Sequence, residues 1–280
     1  MQDLAGWIGR AREVADELTA PAARRLCAML DRDPPDLSRG AAVPAHWLAI
    51  LFDDAQRQSL LGADGHPAKG EFLPPVPLPR RMLAGRRMTY ASPLRIGDAL
   101  SRRSEITAIT PKVGRSGKLC FVTVRHSVTG AEGLVAVEEQ DIAYREATTG
   151  EADAKPEATP LPEAAWRESF RPDPVLLFRY SALSFNGHRI HYDIDYARTE
   201  EGYPGLVVNG GLSTMMLLDA ALRRASGRVL HAADIRTLRP LICGRTAALA
   251  GTAPDAQGRQ LLWMEDENGT MALRIQARIN

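Results

Sequence analysis

Apolar residues recur at helical spacing at the start of the chain. Leu4, Trp7, Ile8, Ala11, Val14 and Leu18 follow Asp3, an N-cap residue type, and the pattern predicts a helix within the first 32 residues. A second short helix is predicted from Pro21, carrying Leu26, Met29 and Leu30. The stretch DPPDLSRG interrupts it, and a further helix is expected within residues 42–53, around His46 to Phe52. From Gly62 to Pro79 the chain is rich in glycine and proline. Proline removes a backbone donor and restricts its neighbour, so helix is not expected there.

From Met88 to Tyr144 the pattern changes to strand. RRSEITAIT, KLCFVTVRHSV and GLVAVEEQDIAY are rich in β-formers, with turns at Lys112 to Gly117 and at Thr129-Gly130. Residues 146–163 are polar with few large apolar side chains, which reads as a linker. Beyond it VLLFRYSAL reads as a strand, Gly210 to Ala225 as a helix, and HAADIRTL, RTAALAGTA, RQLLWMED and TMALRIQARI as strands. Asn268-Gly269 marks a hairpin between the last two. Pro93-Leu94-Arg95-Ile96-Gly97 is echoed by Pro240-Leu241-Ile242-Cys243-Gly244, each just ahead of a long strand. The matching order of elements predicts a duplicated α+β module, with 1–147 as the first unit, 148–163 as the linker and 164–280 as the second.

Composition narrows the function. The 280 residues are 45% hydrophobic and 25% charged, the profile of a globular protein with a core. Lys+Arg total 35 against 34 Asp+Glu, a balance that argues against a general nucleic-acid binder. No apolar run reaches the roughly 18 residues of a membrane span, and the N-terminus lacks the features of a signal peptide. The three cysteines, Cys27, Cys120 and Cys243, lie far apart and form no disulfide framework, so a reduced, cytoplasmic protein is expected.

Candidate chemistry concentrates between Tyr180 and Gly211. His188 and His191 lie in a loop with Asn186 and Asp193 beside them, where the alternative is a pair of structural histidines. Asn209 is a good N-cap for the helix from Gly210, whose apolar face comprises Leu212, Met215, Met216, Leu218 and Leu222. Gly210 and Gly211 fall in its first turn, where N–H groups lack intrahelical partners and attract negative charge; alternatively they permit close packing. Together, an imidazole that moves protons and a bare helix N-terminus that holds an oxyanion suit a reaction through an enolate. There is no G-x-S-x-G and no H-E-x-x-H, and Gly114-Arg115-Ser116-Gly117-Lys118 has the wrong spacing for a P-loop, reading as a turn. No metal or other cofactor is expected.

These residues resemble the MaoC-type hydratases of the hot-dog fold, whose motif has the form G-D-x-N-P-x-H. In Phe185-Asn186-Gly187-His188-Arg189-Ile190-His191, the last residue matches the family's catalytic histidine. Asn186 stands in place of the catalytic aspartate and His188 in place of the asparagine. Asn209 replaces the histidine of the V-H-G that opens the family's helix. FNGHRIHYD, EGYPGLVVNGGL and DGHPAKGEFLPPVPLPRRMLAG are similar to the subgroup of mesaconyl-C4-CoA and itaconyl-CoA hydratases and mitochondrial-type 3-hydroxyacyl-thioester dehydratases.

The resemblance implies a double hot-dog, two antiparallel sheets each wrapped around a helix, with a non-catalytic first module, and a homodimer. It implies hydration of an enoyl-CoA, with mesaconyl-C4-CoA or itaconyl-CoA giving citramalyl-CoA. Gly210 then holds the thioester oxygen, with Gly211 as a candidate second donor, His191 or His188 serves as base, and Asn186 orients water. Arg80, Arg81 and Arg189, with Arg86 and Arg87 nearby, are candidates for a substrate carboxylate or CoA phosphates, or are simply solvated. A fatty 3-hydroxyacyl-thioester dehydratase, a thioesterase and a non-catalytic acyl-CoA binder are the alternatives.

Overall fold

The computed structural model describes residues 4–53, 55–114, 117–146 and 160–280. In the first half these are β1 (Ala11–Glu17), α1 (Ala20–Met29), β2 (Ala42–Val43), a 3-10 turn (Ala45–Ile50), β3 (Arg80–Tyr90), β4 (Leu94–Arg95), β5 (Ala99–Gly114), β6 (Gly117–Gly130) and β7 (Gly133–Arg145). The second half contains β8 (Trp166–Phe170), α2 (Pro174–Leu183), α3 (Ile194–Thr199), α4 (Gly210–Arg224), β9 (Leu230–Thr237), β10 (Ala247–Gly251), β11 (Arg259–Glu265) and β12 (Met271–Ile279).

Ten strands form one antiparallel sheet in the order β1-β5-β6-β7-β3-β9-β12-β11-β10-β8. Each half repeats one pattern: its first, third, fourth and fifth sheet strands run side by side and the second closes the row. The halves join where β3 meets β9, with Arg86 opposite Ile235 and Met88 opposite Ala233. This is the double hot-dog. The sheet wraps α4, whose Leu212, Met215, Leu217 and Leu218 are buried in one core with Leu249, Leu262, Leu273 and Ile275.

The echo found in the sequence has a structural meaning. Leu94 and Leu241 are both buried. Gly97 and Gly244 both take the left-handed conformation, with φ of 78° and 83°. Their N–H groups bond the carbonyls of Leu18 (3.0 Å) and Pro172 (2.7 Å), each just past the first sheet strand of its half. The repeat extends to α1 and α2. Thr19 and Asp173 cap their N-termini. Both end in a Schellman turn with a non-glycine residue at left-handed φ, Asp31 (53°) and Phe185 (48°). There Arg32 N–H bonds the Cys27 carbonyl at 2.9 Å and Asn186 N–H bonds that of Ser181 at 2.8 Å.

Several elements differ from expectation. Residues 11–17 form a strand against β5, with Ala11 opposite Glu105, because a partner edge is available to them. The helix expected in residues 42–53 is only β2 and the 3-10 turn. VLLFRYSAL forms α2: Asp173 and Pro174 start a helix, and the segment is apolar on nearly every side, so its periodicity is uninformative. Strand β8 carried no clear sequence signal. The helix from Gly210, the four strands after it and the Asn268-Gly269 hairpin are as predicted. Of the linker residues, 148–159 lie outside the described residues, as do Arg115 and Ser116 of the expected turn.

Candidate active site

One cavity of about 970 Å³ lies between the halves, within the size range of ligand pockets. His188, His191, Asn186, Gly210, Gly211, Arg80 and Arg81 line it, together with Asp64 and His66 from the first half. The Schellman turn after α2 delivers Asn186 to the cavity, and a 3-10 turn over Arg189–His191 swings His191 inward.

His191 is buried, and its Nδ1 lies 2.7 Å from the Val207 carbonyl. A carbonyl only accepts, so Nδ1 carries the hydrogen and Nε2 is left as a lone-pair base. Burial brings His191 down to about 4, with the Val207 bond opposing and His66 adding to the shift. The His188 ring meets it edge-on, with centroids 5.3 Å apart. Burial, then His66 and His191, lower His188 to about 2. Both histidines are therefore neutral near pH 7.

The glycines of α4 have different roles. A Cβ on Gly210 would meet no atom within 4 Å, so this residue faces open cavity. A Cβ on Gly211 would lie 2.1 Å from the Tyr180 hydroxyl, so Gly211 is required for packing against α2. Asn209 occupies the N-cap position without capping: its Nδ2 bonds Ser181 Oγ at 3.2 Å instead. The first-turn N–H groups are thus left to the cavity.

Other candidate residues are placed differently from expectation. Asn186 Oδ1 accepts from the His188 backbone N–H at 2.9 Å, so this oxygen holds the loop and is not free for water. Arg189 turns away to Asp193 (2.7 Å), to the Ala63 carbonyl (3.0 Å) and over the Tyr196 ring. Arg80 pairs with Glu201 at 2.6 Å at the cavity wall. Arg86 is ion-paired with Glu138. Burial pushes Glu138 up, but Arg86 more than offsets this and holds it down to about 2. Arg87 is taken up by Asp141 and Glu139.

Sequence reasoning missed Asp64 and His66, although it had noted the DGHPAKG phrase. The signal was a carboxylate and an imidazole two residues apart around a glycine. Asp64 Oδ2 lies 2.9 Å from His66 Nδ1, and the His66 ring sits 4.0 Å from that of His188. Burial raises Asp64, but hydrogen bonds from His66 dominate and hold it well below the usual carboxylate range. Asp64, His66 and His188 bring possible ligand atoms within 4.8 Å of one another. The Asp64–His66 bond engages the carboxylate and Nδ1, and the His66 ring lies against that of His188.

A buried neutral imidazole beside an uncapped helix N-terminus, on a double hot-dog, suits a hydro-lyase acting on a thioester. The chain belongs to the hydroxyacyl-thioester dehydratase type 2 family, whose model matches residues 45–243. It is 43% identical over 239 residues, 85% of either chain, to the mesaconyl-C(4)-CoA hydratase of Chloroflexus aurantiacus. Among solved structures, a MaoC-like dehydratase from Phytophthora capsici superposes with a TM-score of 0.71 at 14% identity, covering 96% of each chain. A Mycobacterium tuberculosis protein with a double hot-dog fold gives 0.59 at 13% identity, covering 98% of this chain and 96% of its own. The protein is accordingly an enzyme of the hydratase and dehydratase type acting on an acyl thioester. Among the described residues no helix is long and apolar enough to cross a membrane.

Proposed function

We propose that the enzyme reversibly hydrates mesaconyl-C4-CoA, or its isomer itaconyl-CoA, to citramalyl-CoA. The observation that carries this reading is the extended identity to a mesaconyl-C(4)-CoA hydratase, joined to a cavity that holds His191 and the open N-terminus of α4. With mesaconyl-C4-CoA, whose double bond is conjugated with the thioester, the thioester oxygen accepts the Gly210 N–H, where the helix dipole favours the negative charge of an enolate. His191 Nε2 removes a proton from water as its oxygen attacks the β-carbon. Gly211 keeps the helix end in place, and Asn186 fixes the loop that presents both histidines. His188, neutral and between the other two imidazoles, passes protons between them. Arg81, with Arg80 beside it, supports recognition of the substrate's free carboxylate, a charge-assisted contact that a simple enoyl chain lacks. The protein acts as a cytoplasmic homodimer, which light scattering on the purified protein checks.

A second reading, dehydration of a fatty 3-hydroxyacyl thioester, is favoured by apolar wall residues such as Phe178, Phe185 and Leu238. The test is incubation with mesaconyl-C4-CoA, itaconyl-CoA and crotonyl-CoA, following enoyl absorbance and free thiol together. Hydration of the dicarboxylic thioesters without thiol release is expected. Preference for crotonyl-CoA supports the second reading, and thiol release points to a thioesterase. No change with any substrate overturns the hydratase reading.

A further inference from the structure

We propose that His66, oriented by Asp64, is a catalytic residue that carries the proton exchanged at the α-carbon. This makes the first half of the chain a partner in the chemistry. The inference rests on the hydratase reading above.

Addition of water needs a proton taken from water and a proton given to the α-carbon. His191 serves the first. Asn186, beside the two histidines, is an amide that offers no acid, and its Oδ1 is engaged by the His188 N–H. His188 has no carboxylate bonded to its ring among the described residues, and burial disfavours its cation. His66 differs from both. Its Nδ1 is held by Asp64 at 2.9 Å, which fixes the ring, offers a counter-ion to its protonated form and leaves Nε2 for the cavity. Its side chain is 30% exposed, more open than that of His191.

The loop carrying this pair is built onto the catalytic loop. Arg189 N–H bonds the Asp64 carbonyl at 3.0 Å, and the Arg189 guanidinium bonds that of Ala63. Gly65, at φ +85°, comes so close that a Cβ there would lie 2.0 Å from the Gly187 oxygen. Such a fit holds a reacting group in register, and it also explains why Arg189 is turned from the cavity.

For an α,β-enoyl thioester such as mesaconyl-C4-CoA, whose double bond is conjugated with the thioester, the step balances within the site. One O–H bond of water breaks and its proton goes to His191 Nε2 while the oxygen bonds the β-carbon. The π pair moves to the α-carbon and thioester oxygen. His66 Nε2–H then gives its proton to the α-carbon and the carbonyl re-forms. His191 returns its proton to His66 through His188 or solvent, so no net proton is consumed.

The test uses whichever thioester the wild type hydrates. H66Q is expected to lower kcat by about 10²–10⁴-fold with KM within about threefold of wild type. D64N keeps the shape of the loop and removes the counter-ion, and is expected to lower kcat by about tenfold or more. In the dehydration direction, the isotope effect with α-deuterated hydroxyacyl-CoA should rise in H66Q, because cleavage of that C–H bond becomes limiting. A purely structural staple would leave it unchanged. Turnover of both variants within about twofold of wild type, or an unchanged isotope effect, overturns the assignment. Should H66Q fail to fold by circular dichroism, D64N decides by the same criteria. If the wild type hydrates none of the three thioesters, the hydratase reading fails; if it does and the variants match it, only the role of His66 fails.

Discussion

Gly210 and Gly211 are adjacent, yet a single added methyl should have opposite effects at the two positions. At Gly211 the new Cβ meets the Tyr180 hydroxyl at 2.1 Å, its Cζ at 3.0 Å and Cε1 at 3.4 Å. Tyr180, on the buried side of α2, has little room to withdraw. Overpacking of this kind costs about 1–3 kcal/mol, which for a chain of this size lowers the melting temperature by roughly 2–12 °C. At Gly210 the same methyl meets nothing, so G210A should be neutral or stabilising by up to about 1 kcal/mol through the unfolded chain. It projects instead into the cavity, where the thioester is proposed to sit, and displacement of its carbonyl should lower kcat/KM by about ten- to a hundredfold. Thermal melts followed by circular dichroism, with hydration kinetics on the same samples, separate the two. Tyr180→Phe removes the closest atom and leaves the ring carbon at 3.0 Å, so the double variant Y180F/G211A should regain part of the lost stability. A G211A melt within about 1 °C of wild type, or equal destabilisation by both alanines, would refute the division of roles.

Three further outcomes are expected. Burial lowers His46, His126 and His191 to about 4 from 6.5, so between those values the unfolded chain binds protons that the fold rejects. Stability therefore falls as pH drops through this window, by about 3 kcal/mol for each histidine, and urea midpoints unchanged between about pH 7 and 5 would contradict it. Glu138→Gln strands the Arg86 cation, whose side chain is only 13% exposed, and should cost about 3–5 kcal/mol in denaturant titrations; a loss under about 1 kcal/mol would mean that the pair is solvated. Phe185→Gly relieves a left-handed residue and should cost no stability by thermal melt, while KM rises because Phe185 lines the cavity; an unchanged KM would remove the ring from the binding site.

Much of the second half was legible because its signals are local. Alternation marked β9 to β12, Asn268-Gly269 marked their last hairpin, and the glycine pair after Asn209 marked the start of α4. Elements whose fate is decided by a distant partner were not legible. Residues 11–17 carry a helical spacing, but β5 lies more than eighty residues away and offers them an edge. The apolar run of α2 matches strand and helix alike until Asp173 is recognised as its cap. At the site, His191 and Gly210 follow from motif spacing. Asp64 and His66 do not, since only the fold brings them to His188. The swing of Arg189 toward Asp193 is likewise invisible in a one-dimensional pattern that places it between two histidines.

The pairing of β3 with β9 also bears on how the molecule comes apart. Five strands of each half continue through this seam as one hydrogen-bonded surface, and the core around α4 includes Leu26, Met88 and Leu100 from the first half. Releasing either half would expose the edge of the other and open the cavity at once. Although its strand order repeats, the chain is expected to behave as a single cooperative unit, in which heat or denaturant removes activity and structure in one transition.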